Sequence, residues 1–237
     1  MFFAGSVALP LQSISSAFML TGVLVGGVFI TFFVSKFLSK TVLKGVCSSF
    51  TLELPPYRRP QIGKVIIRSV IDRTLHILGR AVVVAAPAGI VIWVLANVKI
   101  GGSSILIHCA EFLNPFARLL GLDGVILMAF ILGLPANEIV IPIILMSYLA
   151  TGSLVDYEST AQLRDLLVSN GWTWQTAFSV IMFSVMHWPC STTLITIKNE
   201  TKSIKWTTLS VLVPTALGIL FCFAFNLINI VIIRISQ

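Results

Sequence analysis

The stretch GVILMAFILGLPANEIVIPIILMSYLA, residues 124–150, decides how this chain is read. It is long enough to cross a bilayer, which takes roughly 20 mostly apolar residues. Yet Pro135, Asn137 and Glu138 stand near its middle. A carboxylate at bilayer depth is costly unless it faces protein, water or a cation. Pro135 removes an amide hydrogen and disturbs the preceding turn, so carbonyls near Gly133 and Leu134 are expected to lack helical partners. Unwound backbone survives at that depth only inside protein or beside a wet cavity. Glu138, Asn137 and the freed carbonyls would then make a cation-attracting set of oxygen ligands. The competing role for Glu138 is structural: a lysine partner, or a charge at the start of the second half-helix that complements its dipole. The two roles can coexist.

Composition sets the class. The 237 residues are 57% hydrophobic and 11% charged, with a mean hydropathy of +0.98, whereas soluble domains carry about 25% charged residues. The chain is therefore an integral membrane protein. Clear spans are expected at 17–35 and 207–233, with less regular candidates at 81–97, 124–150 and 176–197. Long apolar runs favour helices over a barrel. The opening residues MFFAGSVALP carry no positive n-region and no clean cleavage site, so they are not read as a signal peptide.

The formal net charge is +7, but the basic residues cluster beside spans, which fits membrane topology rather than nucleic acid. Lys36, Lys40, Lys44, Arg58, Arg59, Lys64, Arg68, Arg73 and Arg80 are opposed only by Glu53 and Asp72, placing 36–80 in the cytoplasm. Within that segment ELPPYRRP, 53–60, breaks any helix, so a helix must start after Pro60. Ile66, Ile67, Val70, Ile71, Leu75, Ile77 and Leu78 then fill one half of a helical wheel, and Arg68, Asp72, Arg73, His76 and Arg80 the other. Such a basic amphipathic helix suits the cytoplasmic interface, although packing on protein would give the same pattern.

Beyond Asn97, GGSS breaks the helix, and 105–121 is too short and polar to span; it is expected along the outer surface. Counting crossings exposes a conflict. If 81–97, 124–150 and 176–197 all cross, the acidic connection 151–175 lies inside and Lys198, Lys202 and Lys205 lie outside, against the positive-inside tendency. If 124–150 instead enters and leaves on one side, with PANE at its tip, both placements reverse. Each arm of about 11 residues would be roughly 16 Å long, near half the hydrocarbon thickness. The broken, re-entrant reading is preferred.

A second interruption lies in FSVMHWPCSTT, 183–193. Pro189 precedes Cys190, and His187 shares a face with that cysteine if the turn stays helical. Sulfur and imidazole suit first-row transition metals, whereas carboxylate and carbonyl oxygens are harder ligands. The plain alternatives are a small packing cysteine and an interfacial histidine beside Trp188. Ser191, Thr192 and Thr193 are expected to bond helix carbonyls. Met128, Met146, Met182 and Met186 read as packing. Cys47, Cys109, Cys190 and Cys222 include no CxxC, so neither a zinc site nor a disulfide framework is indicated. No phosphate-binding loop or hydrolytic triad pattern occurs, so the chain is not read as an enzyme.

LELPPYRRP, the following basic helix, GLPANEIVIPIILM, and MHWPCSTTLITIKNET followed by KWT occur together in fixed order. From about residue 17 onward this resembles the C-terminal membrane half of the bacterial ferrous iron transport protein B family, FeoB. The resemblance implies an all-α polytopic membrane protein with broken or re-entrant half-helices of Gate type. It divides the chain into 1–60, a first transmembrane helix and connecting region; 61–80, the interfacial helix; 81–206, a second Gate-like repeat; and 207–237, a C-terminal helix.

It further implies Fe(II) import across the bacterial cytoplasmic membrane, with Fe(II) as transported ion rather than bound cofactor. Cys190, Glu138, His187 and Asn137 would make transient metal contacts. The family's GTPase domain and first Gate repeat are not in this sequence, so GTP would act only through a missing domain or a partner, the sequence being a split subunit, a truncated product or a segment of a longer protein. Expected partners are membrane lipid, that GTPase-bearing part, small cytoplasmic accessory Feo proteins and further copies in a homo-oligomer, with no nucleic acid. The rival functions are a Gate-family permease for a nucleoside or other small solute, and a non-transporting membrane scaffold.

Overall fold

The computed structural model describes residues 9–41, 61–68, 71, 74–154 and 160–235. The chain order is α1 (Leu9–Thr41), α2 (Ile62–Arg68), α3 (His76–Asn97), a two-strand ribbon, α4 (Ile105–Leu119), α5 (Gly124–Leu132), α6 (Val140–Leu149), α7 (Thr160–Ser169), α8 (Trp174–Met186), α9 (Ser191–Thr201) and α10 (Ile204–Ile235). The architecture is all-α apart from the ribbon. There Lys99 pairs with Ser104 and Ile100 with Ser103, across Gly101 and Gly102 at φ of 64° and 95°. Two successive positive φ values are what a tight hairpin turn requires. The GGSS break expected after Asn97 is thus an ordered reversal.

Among the described residues three helices are long and apolar enough to cross a membrane: Ile14–Thr41, Trp174–Thr201 and Ile204–Ile232. The second runs through the interruption between α8 and α9. On α1, Phe18, Phe29, Phe32 and Phe33 are each at least 70% exposed, the condition of side chains that face lipid. Pro87, Pro115 and Pro214 sit inside α3, α4 and α10, as membrane helices tolerate when neighbours and local adjustments satisfy the freed groups. Spans expected at 17–35 and 207–233 fall within α1 and α10.

The core belongs to the opening stretch. Ile126, Ala129, Ile143 and Ile144 are fully enclosed and Phe130 is 2% exposed. A helix apolar all round is a buried helix, and α5 is one. Around it pack α4, across a bend of 107°, and α6. Gly124 lets α4 and α5 touch backbone to backbone: a Cβ there would lie 1.9 Å from the Ala110 carbonyl oxygen. Phe183 of α8 packs its ring edge on Phe130 at 4.9 Å. On the far side of α8, Gly218 of α10 brings that helix close to the Met186 carbonyl, the small-residue packing typical of membrane helices.

Of the segment 61–80, where a basic amphipathic interfacial helix is expected, residues 61–68, 71 and 74–80 are described, while Val70, Asp72 and Arg73 lie outside the described residues. A helix starts at Ile62, and Ile66, Ile67, Ile71, Leu75 and Leu78 are all more than half exposed. This apolar face is uncovered by protein among the described residues. Residues 42–60 and 155–159, which hold ELPPYRR, Cys47, Asp156 and Glu158, lie outside the described residues.

Candidate functional site

Residues 124–149 form a helical hairpin. Asp123 caps the start of α5, its Oδ1 accepting from the Ile126 N–H at 2.7 Å. Tyr148, near the end of α6, donates its hydroxyl to Asp123 Oδ2, and the Trp172 indole N–H donates to the Tyr148 hydroxyl at 2.9 Å. The two ends of the stretch therefore meet, and they meet at the loop that starts α8. At roughly 14 to 15 Å each by helical rise, neither arm could cross a hydrocarbon core of about 30 Å.

At the tip, Pro135 forces its predecessor out of the helical region, and α5 stops at Leu132. The chain turns through Gly133–Ala136 into a 3-10 turn, Asn137–Ile139, and then α6. Pro142 is tolerated because the first-turn amides of a helix have no partners to lose. Asn137 and Glu138 are exposed on this turn, and the Glu138 carboxylate has no hydrogen bond or ion pair among the described residues. Its position at a helix start is favourable for negative charge.

The carbonyls expected to lack helical partners are nonetheless bonded, so they are not free for a cation. Gly133 O accepts from the Ala136 N–H at 3.0 Å. Leu134 O accepts twice from one residue: from the Ser191 N–H at 2.9 Å and from Ser191 Oγ at 3.0 Å. The correction has a simple cause. A polar backbone group in this setting must find a partner, and the nearest unspent donors are the first amides of another broken helix. The two interruptions thus meet directly, across 57 residues of sequence.

The second interruption occupies 187–190. Pro189 excludes the helical region for Trp188, α8 ends at Met186, and α9 restarts with Cys190 as its cap residue. The turn therefore does not stay helical, and the condition for His187 and Cys190 to share a face is not met. His187 is 7% exposed, its Nδ1 lies 2.8 Å from Ser184 O, and its ring rests against Phe130, Phe183 and Trp188. His187 Nε2 and Trp188 Nε1 are buried with no hydrogen-bond partner among the described residues. Cys190 is half-buried and not disulfide-bonded; its Sγ lies 3.2 Å from Thr192 Oγ1 and 3.1 Å from Thr193 Oγ1. Those two hydroxyls therefore face the sulfur, contrary to the expected helix-carbonyl bonding. Among the described residues no group of three or more His, Cys, Asp and Glu side chains converges on one point.

An apolar cavity of about 420 Å³ lies beside the tip, lined by Ala85, Gly89 and Ile92 of α3 with Pro135, Ala136 and Ile139. Sequence reasoning singled out the Leu134 carbonyl and the Ser191 hydroxyl but not their pairing, and it missed the Asp123–Tyr148–Trp172 chain. Only Asp123 had a local signal, an Asp before an apolar run.

A hairpin of half-helices wedged against an interrupted span defines a polytopic membrane protein of the broken-helix class, whose sites lie where helices are interrupted. A family model described as Gate, nucleoside recognition, matches residues 78–204, more than half of the chain. A second, described as ferrous iron transport protein B C terminus, matches residues 20–72. The chain belongs to the Gate family, and corresponds to the C-terminal membrane region of FeoB.

Curated relatives agree. A protein named Fe(2+) transporter FeoB from Staphylococcus aureus is 28% identical over 202 residues, covering 84% of this chain and 30% of the relative. Synechocystis and Leptospira interrogans proteins of the same name are 28% and 26% identical, covering 74% and 78% of this chain and 28% and 29% of themselves. The chain thus spans about 30% of the length of the curated relatives it matches. No solved structure matches it.

Proposed function

We propose that this chain forms part of the Fe(II) translocation pathway of a FeoB-type importer in the bacterial cytoplasmic membrane. It works with a GTPase-bearing N-terminal part and first Gate repeat. The observation that carries the reading is the junction of the two helix breaks, where Ser191 meets Leu134 beside Cys190. Such junctions place polar groups within a span, and interrupted helices are where transporters put their substrate contacts.

In this reading the Asp123–Tyr148–Trp172 end of the hairpin lies outside. The tip reaches inward, and Lys198, Lys202 and Lys205 lie at the cytoplasmic side, as the positive-inside tendency requires. Cys190 supplies sulfur to the passing ion, and Glu138 a charge that offsets its dehydration. Asn137 and His187 add weaker contacts, His187 through Nε2 once its aromatic cage opens. Fe(II) accepts both sulfur and oxygen donors, and conduction needs successive weak contacts rather than one closed cage. The interfacial helix at 61–80 anchors the segment on anionic lipid through its basic face.

The test is Fe(II) uptake by cells that express the chain with its N-terminal part. Cys190→Ser and Glu138→Gln are each expected to reduce uptake at least tenfold with membrane abundance unchanged. Uptake of a nucleoside that survives Cys190→Ser, with no iron uptake in the parent, would move the reading to a solute permease.

A further inference from the structure

We infer that α4 is a surface anchor: it lies flat in the membrane interface at the base of the α5–α6 hairpin, with Phe112, Phe116 and Leu119 in lipid. The anchor rests on the hairpin's place in the membrane and not on the cargo.

At helical spacing the residues of α4 divide its circumference into three sectors, each roughly a third of a turn wide. Leu106, Ala110 and Ala117 are buried against the core. Phe112, Phe116 and Leu119, at positions i, i+4 and i+7, are 84%, 45% and 52% exposed. His108, Glu111 and Arg118, also exposed, fill the third sector. Packing accounts for the first sector and hydration for the third. The second is an apolar face that nothing covers among the described residues. Phe112 is more exposed than Phe18, Phe29, Phe32 and Phe33 of α1, which have the exposure of side chains that face lipid.

Two observations say what covers this face. The first is direction. Helix α4 meets α5 at 107°, so where α5 runs into the bilayer, α4 runs along it. The joint is held on two sides: the Gly124 N–H donates to Asn114 Oδ1 at 3.3 Å, and Asn226 Nδ2 of α10 donates to the Arg118 and Leu119 carbonyls at 3.0 and 3.1 Å. The second is level. Tyr148 and Trp172 are chained to Asp123 at this joint, and Trp174 opens α8 beside them. Amphipathic aromatic rings of this kind gather at the headgroup level of a membrane. A helix lying at that level has lipid on one side and water on the other. With the core on its flank, α4 turns Phe112 toward the bilayer and Glu111 toward water. An apolar sector beside a charged one is the pattern this position selects, whereas a protein partner on Phe112 would require no charged sector next to it.

Footprinting with two reagents tests the anchor without iron. The chain, expressed with its N-terminal part, is extracted in polymer nanodiscs that keep the native lipid. It is labelled either by a lipid-soluble diazirine, which yields a carbene on illumination, or by aqueous hydroxyl radicals, and the adducts are located by peptide mass spectrometry. Carbene adducts are expected at Phe112 and Phe116 and oxidation at His108. The ratio of the two labels should differ by about tenfold or more between those sectors, the scale set by burying an aromatic ring in apolar surroundings. Ala110, in the core sector, should take neither label. Oxidation of Phe112 as fast as that of His108 would put the face in water, and protection of Phe112 from both reagents would put protein over it. Carbene adducts spread equally over Glu111 and Arg118 would sink the whole helix below the surface. Each of these three results overturns the anchor. None involves Fe(II) flux, so the anchor and the transport reading can fail separately.

Discussion

Gly124 has no room for a methyl group. Its missing Cβ would penetrate the Ala110 carbonyl, and a backbone atom cannot move aside as a side chain can. Overpacking usually costs about 1–3 kcal/mol, and Gly124→Ala belongs at the upper end because α4 and α5 must separate. Gly22→Ala on α1, where nothing lies within 4 Å, should be near neutral. Thermal unfolding in detergent distinguishes them: a clear loss for the first and little change for the second. The same scale explains what was legible in the sequence. Pro135 and Pro189 announced both interruptions, because proline restricts the residue before it wherever it stands. The partner of Leu134 O was not legible, since its donor comes from Ser191 in another helix. For His187 the residues offered only a condition, a shared face with Cys190 if the turn stays helical, and the turn does not. Once that turn is lost, His187 packs among aromatic rings while Cys190 caps α9.

At the scale of elements, the hairpin depends on its closed base. Tyr148 bridges Asp123 at the start of α5 and Trp172 ahead of α8, so one hydroxyl fixes three elements. Tyr148→Phe leaves the Trp172 N–H and a carboxylate oxygen without that partner, at a cost of about 1–3 kcal/mol. Hydrogen exchange should quicken across 124–149 and remain slow in α10; uniform quickening of both would show that the base is not a separate clamp. The hairpin itself was foreshadowed by a charge argument, since only a stretch that returns to its own side reconciles acidic 151–175 with the lysines of α9 and α10. Hydrophobic periodicity could not have found it. The α5 arm is apolar on every side, and it is enclosed on most of them, with Ile131 left 42% exposed.

For the whole molecule, the central proposal is a pathway element that works with an N-terminal part. The chain matches about 30% of the length of its FeoB relatives, and α1 stands largely uncovered among the described residues. The most direct measurement is Fe(II) flux into proteoliposomes that hold the purified chain, with and without the GTPase-bearing N-terminal part. The account predicts GTP-dependent flux only when both are present, and its loss in Cys190→Ser. No flux with both present, or undiminished flux in Cys190→Ser, would contradict it.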